Sequence, residues 1–139
     1  MSVQTLSKFQ ADIRVGDVLE NAVRAKLEAQ GWHCVHVPGK FAYWDFAISR
    51  GDMTSKLEVK HDRLSDSTGN YCIEKRWLEH TIASILIIGT PQEAYMIPVD
   101  DVKELVKGCT DVRQVGDQAT NQGYLFPKYQ IIAKAKRFI

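Results

Sequence analysis

The run Tyr43-Trp44-Asp45-Phe46-Ala47-Ile48-Ser49-Arg50-Gly51-Asp52-Met53-Thr54-Ser55-Lys56-Leu57-Glu58-Val59-Lys60 decides the fold. Trp44, Phe46 and Ile48 alternate with Asp45, Ala47 and Ser49. Leu57 and Val59 alternate with Lys56, Glu58 and Lys60, again the period-two pattern of a half-buried strand. Between the two segments, Arg50-Gly51-Asp52-Met53 puts Gly at the first central position of a two-residue hairpin turn. A hairpin centred there sets Asp45 directly opposite Glu58. Side chains two apart on a strand share a face, so Lys60 points the same way as both acids. Directly opposed Cβ atoms lie roughly 5 Å apart, where two carboxylates repel unless a divalent cation lies between them. The apolar residues of both strands fall on the other face, where they can pack.

The Glu-x-Lys triplet alone says little. Seven Glu and eleven Lys in 139 residues give about half such a match by chance. A solvent-facing hairpin whose charges keep its surface wet is the plain alternative. Strand phase, turn chemistry and carboxylate register agree independently, and that agreement favours a metal site.

The length fits a single domain, 1–139, with a real core. The longest apolar stretch, Ile82 to Ile88, is strand-sized, far short of the ~20 residues of a membrane span. Met1-Ser2-Val3-Gln4 lacks the basic-then-apolar pattern of a signal peptide, so a cytoplasmic location is expected. Cys34, Cys72 and Cys109 are odd in number and widely spaced, which reads as reduced, mostly buried thiols rather than a zinc site. Net charge is only +1, but the cations are unevenly spread. Lys75-Arg76-Trp77 sets two beside an aromatic ring, and the tail Lys128…Lys134-Ala135-Lys136-Arg137 carries no acid. Such stretches neutralise phosphates, and each is equally well an uneven solvated surface.

Outside the hairpin, a helix is predicted from about Asp12 to Gln30, closed by Gly31. Val15, Leu19, Ala22, Val23 and Leu27 form its apolar stripe, with Asp17, Asn21, Arg24 and Glu28 pointing away. Glu20 lies at the edge of the stripe. There it reaches a site between helix and sheet, or it is a boundary residue whose methylenes cover the core. Trp32 to Val37 reads as a strand ended by Pro38-Gly39, and His61 to Asn70 as a polar loop. Tyr71 to Glu74 reads as a short strand, Lys75 to Ser84 as irregular or short helix, and Ile85 to Ile88 as a buried strand bounded by Gly89. Glu93 to Ile97 follows as a strand, then a helix over Pro98 to Val106. From Thr110 the chain is polar and Gly-rich until Tyr129 to Ala133, which is strand-like. The order suggests an α/β protein with a mixed sheet and helices on it.

An acid-bearing helix, a strand, then a hairpin with Asp and Glu-x-Lys resembles the PD-(D/E)XK nuclease superfamily over roughly residues 12–106. Within it the chain looks most like phage-encoded endonucleases and Holliday-junction resolvases. The stretch Thr68-Gly69-Asn70-Tyr71-Cys72-Ile73-Glu74 is also similar to a segment that follows the motif in phage relatives. Trp44 stands where the motif's Pro often sits, and the Ser-Gly pair expected after Glu74 is missing. The resemblance implies a restriction-endonuclease-like αβββαβ core and Mg²⁺-dependent hydrolysis of DNA phosphodiesters, with Mn²⁺ able to substitute. It assigns Asp45 and Glu58 as metal ligands with the Val59 backbone carbonyl, Lys60 as the catalytic lysine, and Glu20 as the first-helix acid of a possible second metal position. Glu74 is a possible extra acid, with a surface role the more ordinary reading. Lys75, Arg76, Trp77, Lys134, Lys136 and Arg137 are candidate DNA contacts. The implied substrate is branched DNA in recombination, the implied assembly a homodimer, and the source a phage or a cell. A repair or restriction-type nuclease, a single-strand nuclease and an inactive DNA-binding module stay open as alternatives.

Overall fold

The computed structural model describes residues 8–36, 45–114 and 122–139, and of residues 8–17 only the backbone. Trp44, Val37, Pro38-Gly39 and the side chains of Val15 and Asp17 therefore lie outside the described residues.

Helix α1 (Lys8–Ala29) starts earlier than its stripe suggested and buries Leu19, Val23 and Leu27. It ends as expected at Gly31, φ 91°, where Trp32 N–H donates to Leu27 O and Gly31 N–H to Glu28 O. Strand β1 (His33–His36) pairs antiparallel with β2 (Phe46–Arg50), and β2 with β3 (Met53–His61). The hairpin register pairs Phe46 with Leu57 and Arg50 with Met53, which leaves Gly51 and Asp52 as the two turn residues. Gly51 has φ 61°, and among the described residues only glycines take positive φ, so the turn needs glycine at that one position. Arg50 ties the hairpin tip to the end of α1: Nη1 donates to Gln30 O at 3.1 Å, and the guanidinium lies 4.5 Å from the Trp32 ring.

The chain then leaves the sheet through α2 (Ser65–Thr68), β4 (Asn70–Glu74) and α3 (Lys75–His80) before β5 (Ile85–Thr90) returns parallel to β3. Strand β6 (Glu93–Pro98) pairs with β5, and α4 (Val99–Lys107) follows with Asp100 and Asp101 in its first turn. The main sheet has six strands in the order β1-β2-β3-β5-β6-β9, with β9 (Lys136–Arg137) at its edge. A second sheet runs β4-β8-β7, with β7 (Val112–Gln114) and β8 (Gln122–Pro127).

Two expectations fail in this last third. Tyr129 to Ala133 is not a strand but helix α5 (Lys128–Ile132). Pro127 supplies its N-cap with φ −52°, and helical spacing drops Ile131 into the core beside Tyr71 and Phe126. The residues before it, expected to be irregular, form β8. The expected loop after His61 also contains a helical turn, α2.

The sheet separates two cores. Phe46, Ile48, Leu57, Val59 and Ile87 pack under α1, joined by Ala94 and Phe138. On the other face Leu86, Ile88, Tyr95 and Ile97 meet Tyr71, Ile73, Leu78, Val99, Val102, Phe126 and Ile131. β3 therefore sends Leu57 and Val59 to one core. Its polar row, Glu58 and Lys60, stands beside Leu86 and Ile88 at the border of the other.

Candidate active site

Asp45 sits one residue before β2, and its N–H donates at 2.8 Å to the O of Leu57, the residue already paired with Phe46, so the one-to-one register ends at Phe46 and Asp45 stands just outside it. Its Oδ2 accepts the Val59 N–H at 2.7 Å. In an antiparallel ladder a residue's N–H and C=O leave the strand from the same edge. The Val59 carbonyl thus lies on the edge that Asp45 occupies. The expected direct opposition of Asp45 and Glu58 is not a ladder pair, but the two carboxyls lie close enough that the Asp45 charge raises Glu58.

Glu58 is pushed up to about 9, first by burial and then by the Asp45 charge, with a smaller push from Glu20. A hydrogen bond from Trp77 opposes the rise, and the only side-chain donor of that residue is its indole N–H. Asp45 is raised as well, first by burial. The Val59 N–H, the Glu58 carboxyl and the His36 charge pull it back. Two partly buried carboxyls that cannot both ionise alone match a divalent cation, which lets them do so. Their oxygens and the Val59 carbonyl suit a hard ion that keeps several waters. Among the described residues no three His, Cys, Asp or Glu side chains form a ready cage.

Glu20 stands further out. Its Oε2 lies 3.7 Å from His36 Nε2, on a side chain 25% exposed, and its charge still reaches Glu58. The helix edge thus lies within electrostatic reach of Glu58. Lys60 is half-buried and makes no ion pair with either acid among the described residues. Its ammonium is instead felt at Cys72 on β4, a thiol that burial pushes up and Lys60 draws down.

A recess of about 200 Å³ is lined by Glu58, Val59, Lys60, Ile73, Glu74, Trp77 and Leu86. It brings together the second acid, the lysine and Glu74, with Trp77 of α3 as one wall. Lys75 and Arg76 precede Trp77 on α3, with Arg76 exposed. The tail does not join this group. Lys136 and Arg137 form β9, three strand spacings from β3, roughly 14 Å across the sheet. Lys134 is exposed just before β9. A recess of about 360 Å³ further along the hairpin, lined by Ala47, Ser49, Thr54 and Lys56 among others, has no acid among its described residues.

Sequence reasoning missed two participants. His36 leaves β1 beside Phe46, with which its ring makes an edge contact at 5.4 Å, and its place one residue before the end of the expected strand was the available signal. Trp77 stands in the sequence as a candidate DNA contact; its hydrogen bond to Glu58 depends on how α3 packs, and no local pattern announces it.

No family model and no curated protein matches the sequence. Solved structures do share its fold. Hjc of Archaeoglobus fulgidus, a Holliday junction resolvase from an archaeal hyperthermophile, aligns at TM-score 0.59 and 12% identity over 88% of this chain and 91% of that one. The bacterial homing endonuclease I-Ssp6803I aligns at TM-score 0.53 and 22% identity over 68% of this chain and 67% of that one. The chain shares the fold of these two structures. At these identities the likeness concerns the fold, and the chemistry rests on the residues described above. No helix among the described residues is long and apolar enough to cross a membrane.

Proposed function

We propose that this chain is a metal-dependent DNA endonuclease that hydrolyses phosphodiester bonds, with branched DNA as substrate and a homodimer as working unit. One observation carries the reading: Asp45 and Glu58 come together half-buried at the border of a core, with Lys60 next to Glu58 on the same strand face. A solvated hairpin has no reason to press two acids together. Mg²⁺ is the expected ion and Mn²⁺ its substitute, held by Asp45, Glu58 and the Val59 carbonyl. When bound, the cation supplies Lewis acidity at the phosphate and a nucleophile from water near neutral pH. Val59 N–H fixes one Asp45 oxygen, and Trp77 holds Glu58, so the pair is oriented beforehand. The Lys60 ammonium donates to the attacking water or to a phosphate oxygen and stabilises charge that develops there. Glu20, held near His36, takes the place of an outer acid for a metal water or a second ion.

Branched substrate is supported by the resolvase neighbour, and the dimer by a simple requirement. Each small site cuts one strand, so two symmetric copies cut two. Purified protein should cut labelled four-way junctions in Mg²⁺ or Mn²⁺ and leave them intact in EDTA, within a panel that includes flap, duplex and single-stranded DNA. Cleavage confined to duplex or single strands selects the repair, restriction or single-strand reading. Tight junction binding without cleavage in any divalent metal selects the inactive binding module.

A further inference from the structure

Beyond Lys60 the polar row of β3 opens into a second recess of about 440 Å³. Lys60 lines both this recess and the acidic one. Its floor is apolar: Cys72 and Leu125 are cross-strand partners on β4 and β8, and Leu64 closes one side. Around the floor stand Lys60, His61, Arg63 and Arg113, with Asn70 and Thr68 from the α2–β4 corner. Asp62 is the one acid among the described lining residues, and its Oδ2 is occupied by the Cys72 N–H at 2.8 Å. Arg113 is held by Asp111, Nε to Oδ1 at 2.9 Å, on an exposed side chain. The volume is that of a ligand pocket, larger than a lone phosphate needs. A cationic rim over an apolar floor suits a molecule that is anionic at one end and flat and apolar at the other, and Asn70 offers both a donor and an acceptor.

We propose that the recess lined by Lys60, Arg63, Asn70, Cys72, Arg113 and Leu125 is a nucleotide subsite. It takes one unstacked nucleotide next to the phosphodiester that would be cut beside Asp45 and Glu58, with its own phosphate on the cations and its base on the apolar floor. The inference rests on the nuclease reading for its substrate and deepens it. A nucleotide enters such a recess only out of the stack. Extrusion costs least where the base is already unpaired, as at a branch point or a frayed end, and most within continuous duplex. The subsite therefore favours DNA with an unpaired nucleotide beside the cut.

The test separates the two ideas by measuring binding without cleavage. The full chain is titrated in EDTA with a deoxynucleoside 5′-monophosphate, inorganic phosphate and a deoxynucleoside, with amide shifts of residues 60–72, 113 and 125 as readout. The monophosphate should saturate these shifts at a concentration about tenfold lower than either fragment. Arg63→Ala with Arg113→Ala, both exposed positions, should weaken it about tenfold again. The same double variant should lose cleavage on a junction with an unpaired branch nucleotide, and on a flap with an unpaired end, more than on continuous duplex. Loss on the junction alone assigns the branch nucleotide as occupant, and loss on the flap alone assigns the end. Phosphate binding as tightly as the nucleotide overturns the base site. So does full cleavage by the double variant together with no nucleotide-induced shifts, and that result leaves the nuclease intact. Nucleotide binding in a protein that cuts nothing removes the nuclease reading and leaves the subsite standing.

Discussion

Two regions of the main sheet hold charge in opposite ways. At the β2–β3 side, Asp45 and Glu58 are drawn against a core, brought close together and both raised in pKa by burial first. At the β9 edge, Lys136 and Arg137 are exposed, and the segment is anchored by its neighbour Phe138, which is 5% exposed beneath α1. Phe138 N–H donates to Ala94 O at 2.8 Å, and Lys26 donates to Phe138 O with its ammonium 5.0 Å from the ring. Charge in water costs little and does little; charge held half out of water stores a demand for a counter-ion. That contrast separates a candidate site from a charged surface more sharply than residue type does.

The largest effect should come from the acid pair. Asp45→Asn or Glu58→Gln should lower junction cleavage by about 10³-fold or more, because each removes a metal ligand. Wild-type rates in either variant would remove the metal assignment. The same variants sharpen the comparison without DNA. Glu58 ionises near 9 when folded and near the ordinary 4.5 when unfolded, so the unfolded chain releases its proton first as pH rises. The contribution of Glu58 to metal-free stability is thus full below pH 4.5 and lost progressively up to pH 9. Melting in EDTA should show that decline. Glu58→Gln should flatten it and melt higher at pH 8, by roughly 3–5 °C per kcal/mol relieved. An unchanged slope would mean that the pair is not strained.

At the β9 edge, Phe138→Ala should cost about 3–5 kcal/mol in denaturant unfolding, the range for truncating a buried Phe, with cleavage per folded molecule retained. A stable variant would show that β9 is pinned by its backbone alone. Lys60→Ala comes next, with single-turnover cleavage down about 10²-fold and metal affinity by calorimetry kept or improved. Loss of metal binding would instead make Lys60 a structural partner of the acids. Trp77→Phe preserves the ring and removes the N–H, so it should lower metal affinity about tenfold with little change in melting. Equal affinity would leave Trp77 a packing residue. The smallest effect belongs to the tail. Replacing Lys134, Lys136 and Arg137 with Ala should reduce the salt dependence of DNA binding by about one slope unit or less for each phosphate the tail no longer neutralises, without slowing cleavage of saturated substrate. A drop in that rate would bring the tail into the site after all.

The sequence by itself determined the hairpin and what it presents. Turn chemistry at Gly51 and strict alternation on both sides fix the register from Phe46–Leu57 to Arg50–Met53 and put Glu58 and Lys60 on one face of β3. The stripe Leu19, Val23 and Leu27 was equally legible, since helical periodicity is local. Tertiary structure decided the rest. Tyr129 to Ala133 has a strand's composition, yet it is helical because Pro127 ends β8 and a core waits for Ile131. The β4–β8 pairing joins segments about fifty positions apart, and no short-range pattern names a partner at that distance. Trp77 reaches Glu58, and Arg113 reaches the recess beyond Lys60, only once those distant pairings have formed. Periodicity tells a segment which of its faces is apolar. Only burial against other segments tells it what that face will meet, and so which charged groups end up half out of water.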